Sequence, residues 1–273
     1  MRHLRIITIL IFVVACAVLC WTLYTLTNQD TVAPVIIDSV ENLHLQVSDD
    51  EHLLKQGLTA TDDQDGDLTD RILVERISRF SQPGVCQVSY VVFDSNNNFC
   101  RYQRTVTYDD YTPPRLHLEL PLMYHMGEQI SILGRLRLYD CLDGDITHAL
   151  KLETSNIPYN DAGVFEIELH ATNYYGDGIY AKLPVNIGHY STDAPQIRLK
   201  HYLVYIKAGQ AFSPISYVEE VKDITGTLIP IEQVKVTTMV DSTTPGFGQV
   251  CYEVTDSRGV KGIVYLAVIV EEP

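Results

Sequence analysis

A period of about 80 residues runs through the chain and sets the size of whatever it folds into. Ala33-Pro34-Val35 returns as Pro113-Pro114-Arg115 and as Ala194-Pro195-Gln196, while Pro83-Gly84 returns as Ala162-Gly163 and as Pro245-Gly246. A repeat of this length exceeds the roughly 20–50 residues of a solenoid turn and matches a small domain. The chain is therefore expected to form three modules, 33–110, 111–190 and 191–273, arranged as beads on a string and suited to reach and display rather than to one deep cleft.

Within each repeat the apolar residues alternate. Cys86, Val88, Tyr90 and Val92 share one parity, matched by Phe165, Ile167, Leu169 and Ala171 and by Gly248, Val250, Tyr252 and Val254. Period-two apolarity marks a strand with one buried face. Each run ends in a turn, Asp94-Ser95-Asn96-Asn97, Asn173-Tyr174-Tyr175-Gly176 or Asp256-Ser257-Arg258-Gly259, whose fourth residue is one that tolerates positive φ. Further strands are expected at 101–108, 179–187 and 262–270 and, in the first repeat, at 72–80. With six or seven strands in about 80 residues, each unit reads as an all-β, two-sheet sandwich.

The N-terminus obeys different physics. Residues 6–26 carry no charge, a length that spans the roughly 30 Å hydrocarbon core as a helix. Arg2 and Arg5 precede the stretch, and Trp21 and Tyr24 lie near its far end. Positive flanks stay inside and aromatic rings favour the interface, so 1–5 is expected in the cytoplasm, 6–27 as a single-pass signal anchor, 28–32 as a linker and the repeats outside. Two alternatives stay open: Val13-Val14-Ala15-Cys16 has the form of a lipoprotein box with Cys16 as the lipidated residue, and a cleaved signal peptide is the other. All three place the repeats outside the cytoplasm.

No acidic residue precedes Asp30, so the exported part sets 18 basic residues against all 35 acidic ones. Such a field repels nucleic-acid phosphates and favours cations. Four cysteines lie in the repeats, Cys86, Cys100, Cys141 and Cys251. Folding the hairpin at Asp94 sets Cys100 opposite Val92, roughly 20 Å from Cys86 at about 3.3 Å per residue, too far for a bridge. Four free thiols are expected, with Cys86 buried.

The order Ala33-Pro34-Val35-Ile36, Asp62-x-x-Asp65-Gly66-Asp67-Leu68-Thr69, Pro83-Gly84, Tyr90-x-x-x-Asp94-Ser95 and Arg104-Thr105-Val106 resembles the bacterial immunoglobulin-like domain named after its occurrence in a pesticidal crystal protein. Asp-Gly-Asp-Leu-Thr and Asp-Ser-x-Gly-Asn are the marks of that family. Repeat one has Asn97 where the family has Gly; repeat two keeps Asp143-Gly144-Asp145 but has Asn173-Tyr174 for Asp-Ser; repeat three keeps Asp256-Ser257-x-Gly259 and loses most of the acidic phrase. The resemblance covers residues 33–271. It implies an immunoglobulin-like sandwich serving as spacer or binding module on bacterial secreted and surface proteins, and it implies no catalytic activity.

The acidic phrase is where chemistry is to be sought. Asp62, Asp63, Asp65 and Asp67 put four hard oxygen donors within six residues, the donor type that calcium takes. In an immunoglobulin-like unit this loop and the last hairpin lie at the end where the chain enters. Asp65, Asp67 and Asp94 are thus expected near Asp30, and Asp143, Asp145 and Asn173 near Asp109 and Asp110; Asp140 is a further candidate calcium ligand. The competing reading is a metal-free turn in which Gly66 supplies the backbone angle and Asp67 caps amides. Because the phrase decays along the chain, any calcium is expected at the membrane-near repeats, leaving the distal junction the more flexible. No Gly-x-Ser-x-Gly elbow, phosphate loop or His-Glu-x-x-His helix is present, so no enzyme is expected. Tyr174 and Tyr175, set in a turn, are the candidate contacts for a protein or glycan partner.

Overall fold

The computed structural model describes residues 2–27, 30–153 and 157–272. Residues 28 and 29 of the expected linker lie outside the described residues. One helix, Arg2–Thr27, opens the chain. Its segment Ile7–Tyr24 has a mean hydropathy of 2.5 and is exposed along its length. By length and composition it is able to cross a membrane, a test that a signal sequence passes equally.

Among the described residues after the helix, the regular elements are strands and short 3-10 helices. In the first repeat Val35–Asp38, Leu58–Asp62 and Gly66–Asp67 form one sheet. The second sheet runs in the order Asn42–Leu45, Phe99–Tyr108, Val85–Phe93, Leu73–Ile77, with Asn42–Leu45 parallel to its neighbour. The strand expected at 72–80 runs only over Leu73–Ile77, starting after the 3-10 turn Thr69–Arg71 and its C-cap Ile72. The inward parity holds: Cys86, Val88, Tyr90 and Val92 are all buried between the sheets with Ile36, Leu58, Ala60 and Val106. The hairpin register pairs Val92 with Cys100 and Cys86 with Val106. All six cysteines are free, and burial pushes the Cys86 thiol up to about 11.

The same two-sheet plan recurs twice more. A three-stranded sheet, Arg115–Leu118 with Leu136–Asp140 and Gly144–Asp145, faces the four-stranded sheet of Lys151–Leu152, Gly163–Thr172, Gly178–Gly188 and Met123–His125. In the third copy Gln196–Leu199 and Val218–Lys222 face Leu203–Lys207, Lys261–Glu271, Gly246–Thr255 and Lys235–Met239. The hairpin turns place Asn97, Gly176 and Gly259 at φ 67, 80 and 80°, the positive-φ position that their residue types allow.

The chain divides into two compact units, Met1–Asp110 and Tyr111–Pro273. Within the second, the expectation of a loose distal junction is corrected. Leu203, Ala267 and Ile269 of the third copy are buried in the same apolar cluster as Leu116, Leu138 and Leu183 of the second. Tyr205 Oη accepts from Leu116 N at 2.8 Å, and Arg115 lies over the Tyr205 ring while pairing with Glu271 at 2.8 Å. Asn186 and Gln249, 2% and 5% exposed, exchange two amide hydrogen bonds of 2.8 and 3.2 Å. The reason is visible in the strands themselves: Ala267 and Ile269 face opposite to Val268 and Val270, so this strand is apolar on both faces and needs a neighbour on each.

Candidate metal centre

Strand parity explains which acidic residues turn inward. Leu58 and Ala60 point into the first core, and Asp62 continues their parity one step past the end of the apolar layer. Tyr90 and Val92 do the same for Asp94. The two carboxylates therefore meet at one end of the sandwich, where Asp30 joins them. One ligand oxygen from each of Asp30, Asp62 and Asp94 lies within 4.8 Å of the others.

Each carboxylate is already committed on one side. Asp62 Oδ1 accepts from the amides of Gln64 and Asp65, Asp94 Oδ1 from those of Asn96 and Asn98, and Asp30 Oδ1 from that of Val32, all between 2.7 and 3.0 Å. Asn98 Nδ2 donates to Asp94 Oδ2 at 2.7 Å and to the Asp30 carbonyl at 3.1 Å, binding the entering chain to the turn. Asp62 Oδ2 is buried and receives no hydrogen bond from the described residues.

The residue that meets Asp94 and Asp30 is thus Asp62, in place of the expected Asp65 and Asp67. Asp65 reaches sideways instead: Ser95 N and Ser95 Oγ both donate to it, and these bonds hold its carboxyl below the ordinary 3.8. Asp67 accepts from Thr69 N at 2.9 Å, and Asp145 from Thr147 N at 2.9 Å, so the Asp-Gly-Asp ends act as turn caps. Asp63 is exposed. Asp109 and Asp110 are engaged inside the first unit, with His44 Nδ1 at 2.8 Å and Val47 N at 2.7 Å.

The corresponding place in the other two copies is built differently. In the second, Asn173 stands where Asp94 does. Its Nδ2 donates to Asp140 Oδ2 at 3.0 Å and lies 3.0 Å from Tyr111 Oη. Tyr111 in turn donates to Asp177, and burial together with the Asp177 and Asp140 carboxylates raises its phenol, keeping it a donor. Asp143 accepts from Tyr174 N at 2.6 Å.

In the third copy Arg258 fills the place. Its Nη2 donates to Asp256 Oδ2 at 2.7 Å and to the Asp193 carbonyl at 2.6 Å, and its charge helps to hold Asp223 low, after the larger effect of the Thr225 hydroxyl. Asp256 is pushed up by burial, but the Val260 amide and the Arg258 guanidinium outweigh that and hold it low. Arg258 escaped the sequence reading; an Arg at a turn position where the first copy has Asn96 was the available signal.

Tyr174 is 79% exposed, and its ring meets Tyr175 edge-on at 5.5 Å. A second buried ionic cluster, unread in the sequence, lies inside the first sandwich. Arg104 pairs with Asp38 at 3.1 Å, their side chains 0% and 3% exposed, and it also donates to Tyr90 Oη and to the carbonyls of Leu54 and Gln56.

The architecture defines the chain as a series of β-sandwich modules behind one apolar helix. No family model matches it. It is 27% identical over 223 residues to the pesticidal crystal protein Cry22Aa of Bacillus thuringiensis, a match that takes in 78% of this chain and 29% of that protein. The chain thus spans under a third of the relative's length. Among solved structures, it is similar to the M60 catalytic domain with CBM51-1 and CBM51-2 domains of Clostridium perfringens ZmpB, at 16% identity, covering 89% of this chain and 31% of that one with a TM-score of 0.25. Drosophila N-cadherin EC1-3 is matched at 10% identity over 85% of this chain and 98% of that one, with a TM-score of 0.29.

Proposed function

We propose that the chain is a non-catalytic, membrane-anchored display module of the bacterial cell surface, whose three immunoglobulin-like sandwiches act as spacer, adhesion or protein-interaction scaffold outside the cytoplasm. The observation that carries this reading is the helix: the Ile7–Tyr24 segment leaves its Ile, Leu, Phe and Trp side chains exposed, and a lipid bilayer is the solvent that suits such a surface. The arginines before it fit an N-terminus held inside. Membranes washed with alkaline carbonate are expected to retain the chain at its full 30.8 kDa; release of a product shorter by the helix would sink the anchor.

A glycan-binding role is the second reading, and the exposed Tyr174 with its edge-on Tyr175 neighbour favours it, since an open aromatic face stacks on a sugar ring. On a glycan array the full chain in lipid nanodiscs is then expected to give signals that Tyr174→Ala removes. A blank array leaves the protein-scaffold reading alone.

A further inference from the structure

The end of the first sandwich gathers three carboxylates without the groups that neutralise the same place in the other copies. Asp30 and Asp94 are 4% and 6% exposed, and Asp62 Oδ2 is buried with no donor among the described residues. Ligand oxygens of the three lie within 4.8 Å of one another. Like charges so close repel unless a cation sits between them.

The second copy removes one of the charges, and its Asn173 amide reaches the oxygen that corresponds to Asp62 Oδ2. The third copy keeps both aspartates and supplies a positive charge of its own, the Arg258 guanidinium. A built-in cation in one copy marks what the place calls for in another. In the first copy the positions of Asn173 and Arg258 are held by Asp94 and Asn96, and neither brings an amide or a positive charge to Asp62.

We propose that Asp30, Asp62 and Asp94 bind one hard divalent cation, calcium, and that the second and third copies bind none. The donor set is all carboxylate oxygen, the kind calcium prefers, and metal–oxygen distances of about 2.3–2.6 Å allow two ligands to stand up to about 5 Å apart across the ion, matching the observed spread. Asp30 lies three residues beyond the end of the apolar helix at Thr27, so the ion fastens the start of the exported chain to the first sandwich.

The test uses the full chain in lipid nanodiscs, stripped with chelator and titrated with calcium by calorimetry, beside Asp94→Asn and Asp62→Asn. Wild type is expected to take up one ion per chain and to raise the melting midpoint of the first sandwich, since the ligand binds only the native state. Both variants are expected to bind at least about tenfold more weakly. Asp94→Asn is expected to melt no lower than wild type without metal, because its amide can satisfy Asp62 Oδ2 as Asn173 satisfies Asp140. Coincident melting of the wild type in calcium and in chelator would overturn the proposal. Calcium binding by Asp94→Asn and Asp62→Asn as tight as by wild type would overturn it too.

Discussion

Replacing Arg104 by methionine is expected to cost the first sandwich about 3–5 kcal/mol, the loss typical of a buried ion pair deprived of one partner. The methionine keeps the apolar stem and removes only the guanidinium. Asp38 would then sit in the core at 3% side-chain exposure with no counter-charge, its Oδ2 already lacking a donor. The carbonyls of Leu54 and Gln56 and the Tyr90 hydroxyl would also lose the Arg104 hydrogen bonds. Urea unfolding of the full chain should show the transition of the first unit moving to lower denaturant while that of 111–273 stays in place. A change under about 1 kcal/mol would mean that water reaches Asp38 and that the pair is not a structural centre.

The second large effect is expected at the junction inside the second unit. Asn186→Leu leaves both the Gln249 carbonyl and its amide buried and unpaired, a loss of about 1–3 kcal/mol. The double change Asn186→Leu with Gln249→Leu is expected to recover most of that loss, because two apolar groups of similar shape need no donors. The single variant should lower the melting of 111–273 as a whole, since the second and third copies share the cluster of Leu116, Leu203 and Ile269. A single variant with wild-type melting would contradict the packed junction and restore the picture of separate beads.

Much of the fold was legible because alternation and turn chemistry act locally. Cys86, Val88, Tyr90 and Val92 declare their face through period-two spacing, and the Asp94 turn fixes the hairpin register that pairs Val92 with Cys100. The packed junction was not legible in the same way. Ala267, Val268, Ile269 and Val270 read as one more apolar strand, and nothing local says that both faces are covered. Arg104 was hidden by its neighbours: among Arg101, Gln103 and Thr105 it reads as a surface residue, although it shares the inward parity of Val106. The acidic phrase announced a cluster without saying which aspartate turns in. In the fold the parity of Leu58 and Ala60 carries Asp62 inward, whereas the sequence reading favoured Asp65 and Asp67, whose Asp-Gly-Asp ends prove to be a side bond and a turn cap. Asp30, 32 residues from Asp62 and 64 from Asp94 in the chain, was expected at this end from the immunoglobulin-like topology, and it does lie beside Asp94.

The central claim, sandwiches displayed outside on an uncleaved helix, meets its most direct test in intact cells treated with a membrane-impermeant amine reagent. Every lysine lies beyond the helix, and the Lys235 and Lys261 side chains are 75% and 55% exposed. Mass spectrometry of the labelled chains should find both lysines modified before lysis. The same chains should yield the tryptic peptide that starts at Ile6 and carries the helix into the first sandwich. Lysines that react only after lysis, or surface-labelled chains that lack the Ile6 peptide, would contradict the account.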